Sequence, residues 1–498
     1  MENVIGLCYN PLWNYPKTEK EVVHTMTRQV TTKRHQIDMT TGSLFPKILR
    51  FMLPLIATNL LQQLYNAADI MIVELSSEPN AVGAVGAPTS YISLIVNLFI
   101  GFSVGANVVV ARHIGAGDKE KVSRAAHTAI CMSLLFGVIG ASLGILLARP
   151  AMVGMGYEGD LLRLGLRYAY IYLACMPFSS LTNFLSAILQ AQGNTKTPLF
   201  VLTASGLLNI LLNMFFVLVL GLSVEGVALA TAIANLASAT VLWSFLAKNG
   251  NDCKLRFRKL RIHREQFGEI ARIGFPAGIQ HAMFSISNIL IQSSIVEVDA
   301  MLTPAGSAYA PVIKGNTATG SLETFIFSAL GATTTTASAF TAQNVGAKKY
   351  DRVRRAFGNV CFISIVIAVV MSASGMLLRD PLLALYGVKD AEDVLAAITY
   401  DAAWARMLWK WPGFFIYSIM NACAGTIRGL GKSTISALIT FFGTCVFRVI
   451  WIFTAFQFFK NLPTIYISYP ISWLITGIFF LFVVFRLLRK RASETATA

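Results

Sequence analysis

An aspartate at position 69 sits deep inside an apolar run, where a carboxyl group is rarely idle. At 1.5 Å per residue it lies ~30 Å along its helix, and lipid there makes a charge costly unless it faces water or a partner. Gln62, Asn66 and Asp69 follow i, i+4, i+7 spacing, which sets them on one helical face. Such a carboxyl can take up and release a proton, or hold a small cation among oxygen ligands. The plainer alternative is a carboxyl hydrogen-bonded for structure alone. Asn209 and Asn213, at i and i+4 in a later apolar run, can present two amides together, although amide pairs also join membrane helices. A second set comprises Glu323, Arg406, Lys410 and Arg448. Measured along their runs they reach ~30, ~31, ~26 and ~22 Å, and charges at similar depth in one bundle should pair. An ion-pair network that merely holds the bundle competes evenly with a functional role.

The elements that carry these residues are long apolar helices. The chain has 498 residues, 55% of them hydrophobic and only 13% charged. A soluble domain carries about 25% charged residues, and here runs of about 20 apolar residues recur along nearly the whole length. Twelve spans are expected, at roughly 48–73, 87–111, 125–148, 164–190, 198–222, 225–247, 268–296, 309–343, 356–378, 398–427, 433–458 and 463–487. Strand-like alternation is absent, which excludes an outer-membrane barrel.

Lysine and arginine placement orients them. With the first segment inside, inward-facing segments hold 31 of the 41 basic residues, outward ends hold 7, and three lie within spans. This bias predicts both termini in the cytoplasm. The net charge of +16 is thereby a topology signal and not a nucleic-acid footprint. Residues 1–45 are polar without a signal-peptide core, so a disordered cytoplasmic extension is expected.

The chain also repeats itself. ARHIGAGDKEKVSRA (111–125) aligns with AQNVGAKKYDRVRRA (342–356), matching Gly115 to Gly346. AQGNTKTP (191–198) aligns with IRGLGKST (427–434), matching Gly193 to Gly429, and Pro54 matches Pro276. Six spans per half is an even number, so the halves point the same way. The fold class expected is an all-α integral membrane protein: 12 transmembrane helices in two six-helix bundles related by a parallel internal repeat. The bundles are 46–247 and 268–490, joined by a basic cytoplasmic linker at 248–267 and followed by a cytoplasmic tail at 491–498.

Some chemistries drop out. The seven cysteines are scattered singly and the six histidines lack ligand spacing, so no metal site is expected. GTIRGLGKST (425–434) imitates a phosphate loop, but Thr426 occupies the place of the first glycine and no strand precedes it. It reads as a tight turn between helices.

Several segments resemble the MATE family (multidrug and toxic compound extrusion) of cation-coupled exporters. They are LLQQLYNAADIMIV (60–73), GANVVVARHIGAGDKEKV (105–122), AQGNTKTPL (191–199), LLNILLN (207–213), GVALATAIAN (226–235) and TIRGLGKS (426–433). The resemblance, to the prokaryotic branch with its key aspartate in the first span, implies that Asp69 binds the coupling ion. Asn209, Asn213 and Thr231 fall at the family's partner positions, with Asn213 standing where an acid is usual. The implied function is secondary active antiport that exports drugs or other amphipathic or cationic small molecules. Loss of the second acid favours H⁺ over Na⁺ as coupling ion, with sodium at Asp69 the alternative. A flippase for a lipid-linked precursor shares the fold and is the competing function; basic residues facing a central cavity would mark it. The expected partners are a small-molecule substrate and membrane lipids, with no cofactor, nucleotide, nucleic acid or enzymatic activity. The expected setting is the bacterial inner membrane, and the expected state a monomer.

Overall fold

The computed structural model describes residues 36–76, 81–86, 88–249, 251–303, 310–389 and 393–496. Among them no strand occurs, and residues 37–498 form one compact unit. The long helices are α1 (Leu44–Glu74), α2 (Thr89–Ala116), α3 (Lys119–Gly154), α4 (Gly159–Ala174), α5 (Met176–Ala191), α6 (Lys196–Met214) and α7 (Val224–Asn249). They continue as α8 (Arg264–Leu302), α9 (Pro311–Gly346), α10 (Tyr350–Leu377), α11 (Val394–Lys410), α12 (Phe414–Gly429), α13 (Ser433–Thr440), α14 (Phe447–Phe453) and α15 (Leu462–Ala496).

Eight of the described spans are long and apolar enough to cross a membrane, or nine if the α4–α5 pair counts as one. That pair bends by 47° at Cys175, so the single helix expected over 164–190 is broken. The three other expected spans are helical too. α8 and α9 carry more polar side chains, and the tenth is interrupted by a tight turn at Trp411–Gly413, where Pro412 cannot donate to the helix ladder. Two π-helical stretches, Phe215–Val219 after α6 and Phe441–Val446 between α13 and α14, break the regular period as well.

Packing follows small residues. α2 and α9 cross so closely that a Cβ on Gly115 would stand 1.9 Å from the Gln343 carbonyl oxygen, and a Cβ on Gly346 1.9 Å from that of Arg112. Both pairs are related by the same offset of 231 positions, so the contact is reciprocal. Asn107 Nδ2 donates to the Ala187 carbonyl at 2.9 Å, and Ser338 Oγ, 231 positions later, to that of Gly425 at 3.0 Å. The second sequence match needs correcting by two residues. Gly193 and Gly431, both with left-handed φ (82° and 79°), end their helices, and the next amide of each reaches back five residues. Gly193 is therefore the structural counterpart of Gly431, not of Gly429, and the imitation phosphate loop is this turn.

The extension expected over 1–45 is ordered from Ile37 onward, while residues 1–35 lie outside those described. Met39 is wholly buried. Arg352 donates to the carbonyls of Met39, Thr41 and Gly42, Lys349 to that of Thr40, and Asn344 to that of Met39. Ile37 N–H donates to the Gly193 carbonyl. The strap is held largely by its backbone carbonyls, with the Met39 side chain packed in the core.

Candidate functional site

α1 and α6 meet through a glycine. A Cβ on Gly206 would lie 2.0 Å from Tyr65 Cε2, so only glycine lets the Tyr65 ring lie flat against α6. One turn beyond Tyr65 comes Asp69; one and two turns beyond Gly206 come Asn209 and Asn213. The close approach brings the three together.

Asn213 Nδ2 donates to Asp69 Oδ1 at 2.5 Å. With its amide turned so that donor meets acceptor, Asn209 places Nδ2 2.8 Å from the same Oδ1 and its oxygen 3.2 Å from Thr231 Oγ1. Thr231, on α7, gives its hydroxyl proton to the Val227 carbonyl at 3.0 Å, so the Asn209 oxygen accepts from the Thr231 backbone N–H, also 3.2 Å away. Asn213 is fully buried and Asn209 nearly so. Asp69 Oδ2 has no hydrogen-bond partner among the described residues, and Asp69 lines a cavity of about 420 Å³. Gln62 and Asn66 line the same cavity, as one helical face should.

The cavity is walled by α1, α2, α4, α5, α6, α7 and the Thr334–Ser338 turn of α9. Asp69 is the one charged residue in its described lining. Arg406, Lys410 and Arg448 are not among the residues that line it, so the mark of a flippase is missing. Sequence reasoning overlooked the polar stripe on α5: Ser179, Asn183, Ser186 and Gln190, at i, i+4, i+7, i+11. That spacing was readable, but serines and asparagines commonly join membrane helices, and no charge marked the stripe.

The second set is gathered elsewhere. Glu323, on α9 and 1% exposed, accepts Arg406 Nε at 3.0 Å, Arg406 Nη2 at 2.6 Å, Lys410 Nζ at 2.5 Å and Trp411 Nε1 at 3.2 Å. Arg406 Nη1 also donates to Asn316 Oδ1, which accepts from Tyr466 as well. Arg448 departs from expectation. Its Nε donates to Ser472 Oγ at 3.0 Å and its guanidinium lies 4.1 Å from the Tyr469 ring, whose centroid is also 3.8 Å from Lys410 Nζ. Matched depth placed Arg448 at the right level on the wrong side of the cluster.

A family model, MatE, matches residues 54–215 and 288–454, about two thirds of the chain and parts of both proposed halves. The chain belongs to the MatE family. Its MatE relatives include the probable multidrug resistance protein YoeA of Bacillus subtilis, 24% identical over 436 residues, 86% of this chain and 90% of that protein. The multidrug export protein MepA of Staphylococcus aureus is 24% identical over 247 residues, 50% of this chain and 55% of MepA. Among solved structures, an outward-facing multidrug resistance MATE family transporter of the MOP superfamily superposes with a TM-score of 0.82 at 21% identity, covering 91% of this chain and 98% of that one. A MATE protein in a bent conformation gives 0.81 at 21% identity, over 92% and 98%. These likenesses establish the MatE fold, a multi-pass helical membrane protein.

Proposed function

We propose that this protein is a secondary active antiporter that exports small molecules in exchange for H⁺, with Asp69 as the coupling carboxylate and Asn209, Asn213 and Thr231 as its supports. One observation carries the reading. The one charged side chain in the described lining has one oxygen within reach of two buried amides and the other without a partner among the described residues. A proton or cation arriving from the cavity meets that second oxygen, while the amides hold the carboxylate still. The names of the relatives, multidrug resistance and multidrug export proteins, support export as the direction.

The amide orientation favours H⁺ over Na⁺. Sodium needs oxygen ligands, and Asn213 turns an N–H group toward the carboxylate, so it would have to turn over. The architecture proposed is twelve spans in two six-helix bundles, 46–247 and 268–490, joined by the linker 248–267. The reciprocal glycine contacts at an offset of 231 support the parallel repeat. The setting proposed is the bacterial inner membrane, with both termini cytoplasmic, a monomer and no cofactor. A flippase is disfavoured by the lack of lysine or arginine in the described cavity lining.

The test is export from inverted vesicles under a proton gradient alone and then a sodium gradient alone. Export under the first that collapses with a protonophore supports the reading. Export driven by sodium alone and indifferent to the protonophore refutes the ion assignment.

A further inference from the structure

We infer that the cavity takes a hydrophilic, multiply hydrogen-bonding solute with one protonated amine, of the amino-sugar class, rather than a flat aromatic cation. This rests on the reading of the cavity as the transport chamber and adds its substrate class.

Small-molecule sites are ordinarily lined by hydrophobic and aromatic side chains with a few polar groups. Here hydrogen-bonding side chains outnumber apolar ones. Of the lining residues, nine are asparagine or glutamine, eleven are serine or threonine, and the two aromatic ones, Tyr65 and Tyr172, carry hydroxyls; none is Phe, Trp or Met. The chain has 33 Phe and 16 Met, so their absence from this lining is not a matter of supply.

Much of the polar lining is unspent. Gln62, Asn66, Gln190 and Asn235 have no side-chain hydrogen-bond partner among the described residues. An apolar ligand would strip water from these groups and return nothing, which is costly for a buried polar atom. A carboxamide both donates and accepts, and its natural complement is a group that also does both: a hydroxyl or another amide. Asp69 adds one negative charge, which matches one ammonium group and no more. About 420 Å³ falls within the range that holds a drug-sized ligand, room for an amino disaccharide. The amine and the coupling proton would then compete for the same carboxylate, as exchange requires.

The test is equilibrium binding to the purified full-length protein of two monocations, lactosamine with its free amine and ethidium. Lactosamine should bind and resist displacement by ethidium. Gln62→Leu and Asn66→Leu should each weaken it roughly fivefold, the loss of about one hydrogen bond, and strengthen ethidium. Ethidium bound with lactosamine inert to about 10 mM, weaker than any specific site of this kind, would overturn the inference from the unaltered protein alone. Unchanged lactosamine affinity in both folded variants would overturn it too. Lactosamine binding without gradient-driven export would refute the antiport reading while leaving this one standing.

Discussion

Replacing Glu323 with glutamine tests how the second charge cluster is wired. The carboxylate is 1% exposed and accepts four donors, two from Arg406 and one each from Lys410 and Trp411. Glutamine keeps one acceptor oxygen, which can serve Arg406 Nε and Trp411. Its NH₂ then faces Arg406 Nη2 and Lys410 Nζ, donor against donor, with two buried cations left uncompensated. Removing one partner of a buried pair costs about 3–5 kcal/mol, and this substitution should fall in that range. Lys410→Met in the same chain removes one stranded cation, so the double variant should be more stable than the sum of the singles by about 2 kcal/mol. Arg448→Met should rescue less, because Arg448 is held by Ser472 and meets Lys410 only across the Tyr469 ring. Denaturant unfolding of the purified protein, completed as a double-mutant cycle, measures both couplings. Additivity with Lys410, or rescue by Arg448→Met as large as that by Lys410→Met, would refute the wiring.

Gly206→Ala should damage transport without touching a polar residue. The new Cβ would stand 2.0 Å from Tyr65 Cε2, and overpacking of this kind costs about 1–3 kcal/mol. Relief by moving α1 about 1 Å stretches the Asn contacts to Asp69 beyond hydrogen-bond range. Efflux should fall at least tenfold with normal expression, and Tyr65→Ala should partly restore it; wild-type efflux in the single variant would sink the positioning argument. Arg352→Ala should release the strap, since three carbonyls lose a charged donor. Charge-assisted hydrogen bonds net about 1.5–3 kcal/mol, so amide exchange at 38–42 should quicken by roughly ten- to a hundredfold. Unchanged exchange there would mean that Arg352 does not hold it.

What the sequence made legible was whatever broke an apolar background. Asp69 stood out as a charge in a hydrophobic run, and the 62, 66, 69 spacing put three residues on one helical face; the three line the cavity. Asn209 and Asn213 were visible as a spaced pair, but Thr231 came only from resemblance, since a lone threonine in a membrane helix carries no signal of its own. Arg448 shows the limit of depth: distance along a helix fixes height, not direction around the bundle. The Gly193 match was misregistered because identical letters were aligned, whereas the chain repeats a left-handed φ, two residues further on at Gly431. The bend at Cys175 was marked by Pro177 at the start of α5, a signal that was passed over, whereas the π-helical turns left no pattern to read. The strap was invisible for a related reason, because Arg352 and Asn344 recognise its carbonyls, which every sequence possesses.

The coupling role of Asp69 is the central claim, and Asp69→Asn tests it most directly. The variant keeps the side chain's shape and its contact with Asn213 while removing the titratable oxygen that faces the cavity. In proteoliposomes at equal protein density, with a proton gradient imposed and a transported solute inside, wild-type protein should accelerate export when the gradient is applied. The Asp69→Asn protein should insert and fold normally yet export at the same rate with or without the gradient. Gradient-accelerated export by the variant, at the wild-type rate, would contradict the account.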